Sequence, residues 1–380
     1  MAARRRATPR ELEKKFEETA FRLSQERNDF LLPQIVDFVR GNKWMNLRPE
    51  YQRRLVWDAG KRSRFIESLL LNVPIPPVFL YEWELSRYEV MDGQQRLTTV
   101  VDFYENGFAL TGLERWSELS GYRYRDLPDT LQRGLDRRRL SATVLLVERP
   151  SEAQPQHGDV RKLVFDRLNT GGLQLNGQEL RNCLYDSHFN KMLIALSRES
   201  EFQRAWEIPL YEDHVDSHGE AREPLASNPL YRRMLDCEIV LRFFAFRRGK
   251  LKGSVRSMLD KCMEDNVETP SEEVERQGQE FRERLGVALK IFGKHAFRYL
   301  EEDGTLRISQ PLYDAVMVGI DRLWDERTGL VKRRVAIRAG LTKLLKHEDA
   351  YIVIIGRPNT AKAIEARIAL LEDVLANSGT

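Results

Sequence analysis

Residues 88–104 read YEVMDGQQRLTTVVDFY, a short β-type run that stops at Asp92 and Gly93 and passes through Gln94, Gln95 and Arg96 into a helical pattern. Gly93 can take backbone angles that are costly for other residues, so it allows a tight exit from a strand. A helix starting just beyond it presents N–H groups without intrahelical partners at the positive end of its dipole. Such a terminus attracts anions, phosphate above all. Arg96 adds a fork of donors matched to phosphate oxygens, Gln94 and Gln95 can donate or accept, and Asp92 can hold a divalent cation or orient a water. The same residues also read as an ordinary junction, with Asp92 as a helix cap and Arg96 on the surface. Residue types alone leave both readings open.

Two further stretches combine polar groups in suggestive ways. In LRPEYQRRLVWD, residues 47–58, Pro49 forces an extended or turn conformation. Gln52, Arg53 and Arg54 then lie between Tyr51 and Trp57, a mixture able to grip phosphate and stack a base, or simply a solvated basic loop with an anchoring tryptophan. In FDRLNTGGLQLNGQELR, residues 165–181, a Thr-Gly-Gly turn joins two helical patterns. Asn169, Glu179 and Arg181 could face one site, or the stretch could be a plain helical connection with its caps. Asn176 with Glu179 three residues on has the form of a capping box.

The elements that must position these residues change character along the chain. Leu12, Phe16 and Leu23 recur at near-helical spacing, and LLPQIVDFVRG adds a second apolar stripe, so residues from Pro9 to Gly41 are expected to be helical. Val78–Trp83 and Tyr88–Met91 read as a β-hairpin, and Ser141–Arg149 as a third strand. Beyond Val160 helical periodicity dominates, with long helices expected over Pro229–Phe246, Glu272–Leu300 and Gln310–Trp324; Ser309 can cap the last and Pro311 suits its first turn. The fold class is therefore α+β: a small mixed sheet followed by a mostly helical part. The division expected is residues 1–30 as a helical extension, 31–185 as the mixed domain and 186–380 as the helical domain. At 380 residues the chain exceeds what one core usually supports.

Bulk properties exclude more than they assign. Lysine and arginine total 61 against 58 acidic residues, so net charge gives no overall pull toward nucleic acid. Two local runs are basic: Arg242–Lys261 has seven Lys or Arg against Asp260 alone, and Arg327–Lys346 has seven with no acid. Either could contact a phosphate backbone. Cys183, Cys237 and Cys262 are too few and too scattered for a disulfide framework or a thiolate metal site, which fits a reducing cytoplasm. No signal-peptide pattern and no long apolar run occurs, so neither export nor membrane insertion is expected. His214 and His218 in EDHVDSHGE have a spacing that could bind metal if helical, but Gly219 and the polar setting favour a loop. No P-loop or GxGxxG is present, which leaves a conventional kinase or dehydrogenase without support.

Three blocks occur together in one order: PEYQRRLVW, DGQQRLTT and FDRLNTGGLQLNGQELRN. In this they resemble the N-terminal domain of GmrSD-type modification-dependent restriction systems and related antiphage proteins, in a match running from about Leu32 to Ile368. The resemblance implies a ParB/sulfiredoxin-like fold with a nucleotide site at the DGQQR turn. Sulfiredoxin chemistry would need a cysteine in this turn, and none is there. Carried over, the catalytic core would be Asp92, Gln94, Gln95 and Arg96, with Gln52, Arg53, Gly93, Asn169 and Gly171 binding the nucleotide and Asp92 and Glu179 holding Mg²⁺. The expected function is a cytoplasmic nucleoside triphosphatase serving as sensor or regulatory half of a DNA-targeting defence system. A DNA-binding module or an endonuclease nicking DNA at the same turn are its rivals. Expected partners are a nucleotide, DNA and a separate nuclease or defence subunit, because the His-Asn-His nuclease that accompanies many such domains has no counterpart here.

Overall fold

The computed structural model describes residues 8, 10–14, 23–47, 57–147, 176–185, 187–216, 221–293, 296–301, 304–356 and 359–378. These residues form two compact units, one before residue 148 and one after residue 175.

The first unit is built on a five-stranded mixed sheet. In chain order its elements are β1 (Leu23–Leu31), α1 (Leu32–Arg40), β2 (Met45–Asn46), α2 (Ala59–Leu70), β3 (Val78–Glu84), β4 (Arg87–Asp92), α3 (Gln94–Tyr104), α4 (Asp129–Asp136) and β5 (Arg139–Val147). The strand order is β1-β5-β3-β4-β2. The β3–β4 hairpin is antiparallel, as its two β-type runs led one to expect, and the third expected strand, β5, runs parallel to β3. Leu23–Leu31 overturns the helical expectation for this stretch. LSQERNDFL carries apolar side chains only at its ends, so it has no stripe to bury as a helix, and its backbone pairs antiparallel with Arg139–Val147 along its whole length. The helix begins only at Leu32, where Gln34 Oε1 accepts from the Leu31 N–H at 2.9 Å and Pro33 sits in the first turn.

One core holds this unit together. Val78, Leu80, Val90, Ala142 and Val144 from the strands meet Leu97, Val100, Val101 and Phe103 of α3 and Leu32, Ile35 and Ile66 of α1 and α2. Burying α3 along Leu97–Phe103 leaves its N-terminal residues Gln94–Arg96 at the edge of the core, half-buried.

The second unit is almost entirely helical: α5 (Gly177–Leu184), α6 (His188–Ser197), α7 (Ser200–Ala205), α8 (Pro229–Arg232), α9 (Leu235–Phe246), α10 (Val255–Asp265), α11 (Ser271–Phe292), α12 (Gln310–Arg322), α13 (Arg327–Lys332), α14 (Arg334–Leu344), α15 (Glu348–Ile355) and α16 (Ala361–Asn377), with a β6–β7 hairpin (Arg298–Leu300, Leu306–Ile308) before α12. The chain is mixed α and β, with its sheet in the first unit and helices dominating the second. Two expected helices are cut short. Met234 takes a left-handed conformation, φ 54°, which divides Pro229–Phe246 into α8 and α9. Gly293 likewise stops α11, and Arg298–Leu300 becomes a strand. The Gln310 helix starts as expected, with Ser309 Oγ accepting from Leu312 N at 3.2 Å. Among the described residues no helix is long and apolar enough to cross a membrane.

Candidate functional site

The site is built at the point where β4 hands over to α3. Gly93 has φ +96°, the left-handed region that disfavours side chains. A Cβ there would stand 2.4 Å from Val78 Cγ1 and 3.2 Å from Arg96 Nη2, so glycine is required for room as well as for conformation. No side chain caps α3, and the amides of its first turn have no intrahelical acceptors.

Arg96 behaves differently from the outward-facing fork the sequence led one to expect. Its Nη2 donates to Asp92 Oδ2 at 2.8 Å. Its Nη1 donates to the Pro76 carbonyl and, at 3.4 Å, to that of Pro77. Only 14% of the side chain remains exposed, against 52% for Asp92. Burial pushes the guanidinium down from its ordinary pKa, and the Asp92 carboxylate partly offsets this. The arginine thus orients one oxygen of Asp92 and pins the two-proline segment, while Oδ1 has no hydrogen-bond partner among the described residues. That half-exposed oxygen is a hard donor of the kind Mg²⁺ takes.

The two glutamines tie the turn to the second motif. Gln94 Nε2 donates to the Leu47 carbonyl at 3.0 Å, and Gln95 Oε1 accepts from the Trp57 N–H at 3.1 Å. Consecutive residues of α3 therefore hold the chain just before and just after the segment that carries Gln52 and Arg53. Those two residues, with Asn169 and Gly171, lie outside the described residues. Trp57 is itself fixed, its ring edge-on to Phe65 at 5.5 Å and beneath Lys61 Nζ at 5.1 Å. Pro76, Pro77 and Val78 are site residues that sequence reasoning missed. The signal available was slight: prolines have no N–H to donate, but nothing in VPIPPVF says which side chain their carbonyls will receive.

Residues 34–185 match the family described as the GmrSD restriction endonuclease, N-terminal domain. This segment belongs to that domain family. The match covers 152 of the 380 residues and indicates a restriction-system protein. Comparison with curated proteins and with solved structures finds no significant match.

The third motif enters the GmrSD match at its C-terminal end, and its described part serves the helical unit. Asn176 accepts from the amides of Gln178 and Glu179, and Glu179 Oε2 accepts from Asn176 N at 2.7 Å, closing the expected capping box. The same carboxylate meets Arg233 at 3.2 Å and has no exposed side-chain surface. Glu179, expected at the metal, is thus a buried structural partner. Arg181 is likewise spent, on Glu238 at 3.0 Å and Asp260 at 2.8 Å. Among the described residues no group of three or more His, Cys, Asp or Glu is placed to hold a metal ion. His218 of the histidine pair lies outside them.

Proposed function

We propose that the chain is a nucleotide-binding protein that hydrolyses nucleoside triphosphates with Mg²⁺ and acts as the regulatory or sensing part of a DNA-targeting restriction system. The observation that carries this reading is the convergence at Gly93: an uncapped helix terminus, a half-exposed Asp92 carboxylate, and three chain segments held there by Gln94, Gln95 and Arg96. Amides at the terminus of α3 would receive the phosphate oxygens. Arg53, with Gln52, Asn169 and Gly171, would bring further donors to the nucleotide. Arg96 would keep Asp92 aimed through its 2.8 Å hydrogen bond, and contribute positive charge at short range. When bound, Mg²⁺ would neutralise charge developing on the phosphates, held by Asp92 and by the nucleotide's own oxygens. Asp92 would orient the attacking water. Its oxygen bonds to the terminal phosphorus as the bridging P–O bond breaks, the diphosphate leaves, and the water's proton passes to solvent. No Ser or Cys nucleophile is needed for such a reaction.

A second reading is kept because the family description is that of a restriction endonuclease. The same turn would then position a phosphodiester of DNA. One set of measurements separates the two. Thermal unfolding of the wild type is followed with ATP, GTP, CTP and UTP plus Mg²⁺, since a ligand that binds the native state raises its apparent stability. The expected result is a selective upward shift, reduced in Asp92→Asn, with phosphate released in the same samples. Nicking of plasmid by wild type but not by Asp92→Asn, with no shift from any triphosphate, would replace the first reading by the second.

A further inference from the structure

The two basic runs of the helical unit are alike in sequence but differ in what their charges do. In Arg242–Lys261 five of the seven cations meet a carboxylate, while Lys250 and Lys252 are exposed. Arg242 is buried on Asp314, Arg247 bonds Asp321 and Glu280, Arg248 and Lys261 approach Asp265, and Arg256 approaches Asp260. The Arg242 and Arg247 pairs join separate helices, while those of Arg256 and Lys261 lie within α10.

The run Arg327–Lys346, on α13 and α14, is of another kind. Ile337 and Leu341 are buried, so α14 packs inward along that stripe. Three cations are anchored: Arg327 lies over the Trp324 ring, Arg333 reaches the Ala376 carbonyl and Glu326, and Arg338 donates to the Ile291 carbonyl. The other four, Lys332, Arg334, Lys343 and Lys346, are exposed, and none has a carboxylate partner among the described residues. At helical spacing Val335, Ala339, Thr342 and Lys343 occupy the side of α14 opposite Ile337 and Leu341, with Lys332 at the end of α13 and Lys346 in the turn after α14. With 58 acidic residues in 380, a stretch of this length should hold about three, and it holds none. Solvated faces of soluble proteins usually intersperse both signs. A face of one sign, with only small or short side chains between its cations, is complementary to a closely approaching polyanion.

We propose that the exposed face of α14, extended by Lys332 and Lys346, docks the phosphate backbone of duplex DNA. The proposal rests on the reading that the chain acts on DNA, and it is independent of whether the Gly93 corner binds nucleotide. Lysines act as point charges without a base-reading fork, so the docking is to the backbone and not to a sequence.

The test measures binding of a fluorescein-labelled DNA duplex to the full chain by anisotropy across a salt series. Each phosphate neutralised contributes roughly 0.9 to the slope of log affinity against log salt. The variant Lys332→Glu/Lys343→Glu/Lys346→Glu should therefore lose about 2.7 from the slope and at least about tenfold in affinity at low salt. Lys250→Glu/Lys252→Glu, exposed cations of the other run, should leave both unchanged. Wild-type affinity and slope in the triple variant, the loss appearing in the Lys250/Lys252 pair, or no duplex binding by wild type at low salt would each overturn the proposal. Thermal shifts with triphosphates on the triple variant should equal those of wild type. A failed nucleotide reading and a failed docking face are thus told apart.

Discussion

Replacing Gly93 by alanine tests the geometry on which the corner depends. Two penalties combine there. Holding an L-residue in the left-handed region costs roughly 1–2 kcal/mol, and forcing a methyl into a packed site costs roughly 1–3 kcal/mol more. The second applies because the new Cβ would meet Val78 Cγ1 at 2.4 Å and Val78 Cβ at 2.9 Å. Gly121 supplies the matched control: its φ is +89°, in the same unit, but nothing lies within 4 Å of a Cβ built there. Alanine restricts the unfolded chain equally at both positions, an effect of about 0.4–1 kcal/mol that cancels in the comparison. Gly93→Ala should therefore be less stable than Gly121→Ala by about 1–3 kcal/mol. In urea, with m near about 2 kcal/mol/M, the midpoints should differ by about 0.5–1.5 M. Coincident midpoints would refute the claim that the strand-to-helix exit is closed against a side chain. A Gly93→Ala protein that unfolds early should also bind triphosphate more weakly at temperatures where it is still folded, because the methyl lies 3.2 Å from the Arg96 nitrogen that orients Asp92.

Gln95→Ala should speed hydrogen exchange at the Trp57 amide roughly fivefold, the equivalent of about 1 kcal/mol for one lost hydrogen bond, while Gln95→Glu, which keeps an acceptor, should leave the rate near wild type. Equal rates in both variants would show that Gln95 does not hold Trp57. Glu67 is buried and accepts from the amides of Glu114, Arg115 and Trp116, at 3.2, 2.7 and 2.8 Å. Burial raises its pKa, but the three N–H donors outweigh this and leave it below the ordinary carboxylate value. Its stabilisation is accordingly present above the unfolded-state value and lost as pH falls through the depressed one, so acid unfolding of Glu67→Gln should show a flatter pH dependence on that limb than wild type. Asp314 receives Arg242 in a two-pronged contact and lies 3.9 Å from Arg367, with all three side chains at most 3% exposed. Asp314→Asn should destabilise the helical unit by about 3–5 kcal/mol in denaturant, because it removes the carboxylate that receives the buried Arg242; a loss below about 1 kcal/mol would mean that water already serves that guanidinium.

What could be read from sequence was the backbone geometry of the corner, and what could not was which donors folding leaves free. The corner itself was legible because Gly93 sits between a β-type run and a helical period, and that combination has few backbone solutions. The helix starts at Asn176 and Ser309 were legible for the same local reason. Arg96 was not, because its partners are the carbonyls of Pro76 and Pro77, twenty and nineteen residues earlier, and only the folded hairpin brings them within reach. Glu179 and Arg181 carry charges of the type a metal or phosphate site uses, yet both are consumed by long-range ion pairs with Arg233, Glu238 and Asp260. Leu23–Leu31 failed as a helix because a strand at a sheet edge needs only backbone pairing and no apolar period of its own. The two basic runs make the same point in reverse: of seven cations each in sequence, five of the first run meet carboxylates on folding, while four of the second are exposed without one among the described residues. Charge counted along a chain measures capacity for an interaction. Availability is decided by tertiary partners, which leave Asp92 half-exposed and Lys332, Lys343 and Lys346 exposed while spending Arg96, Glu179 and Arg181 on the fold itself.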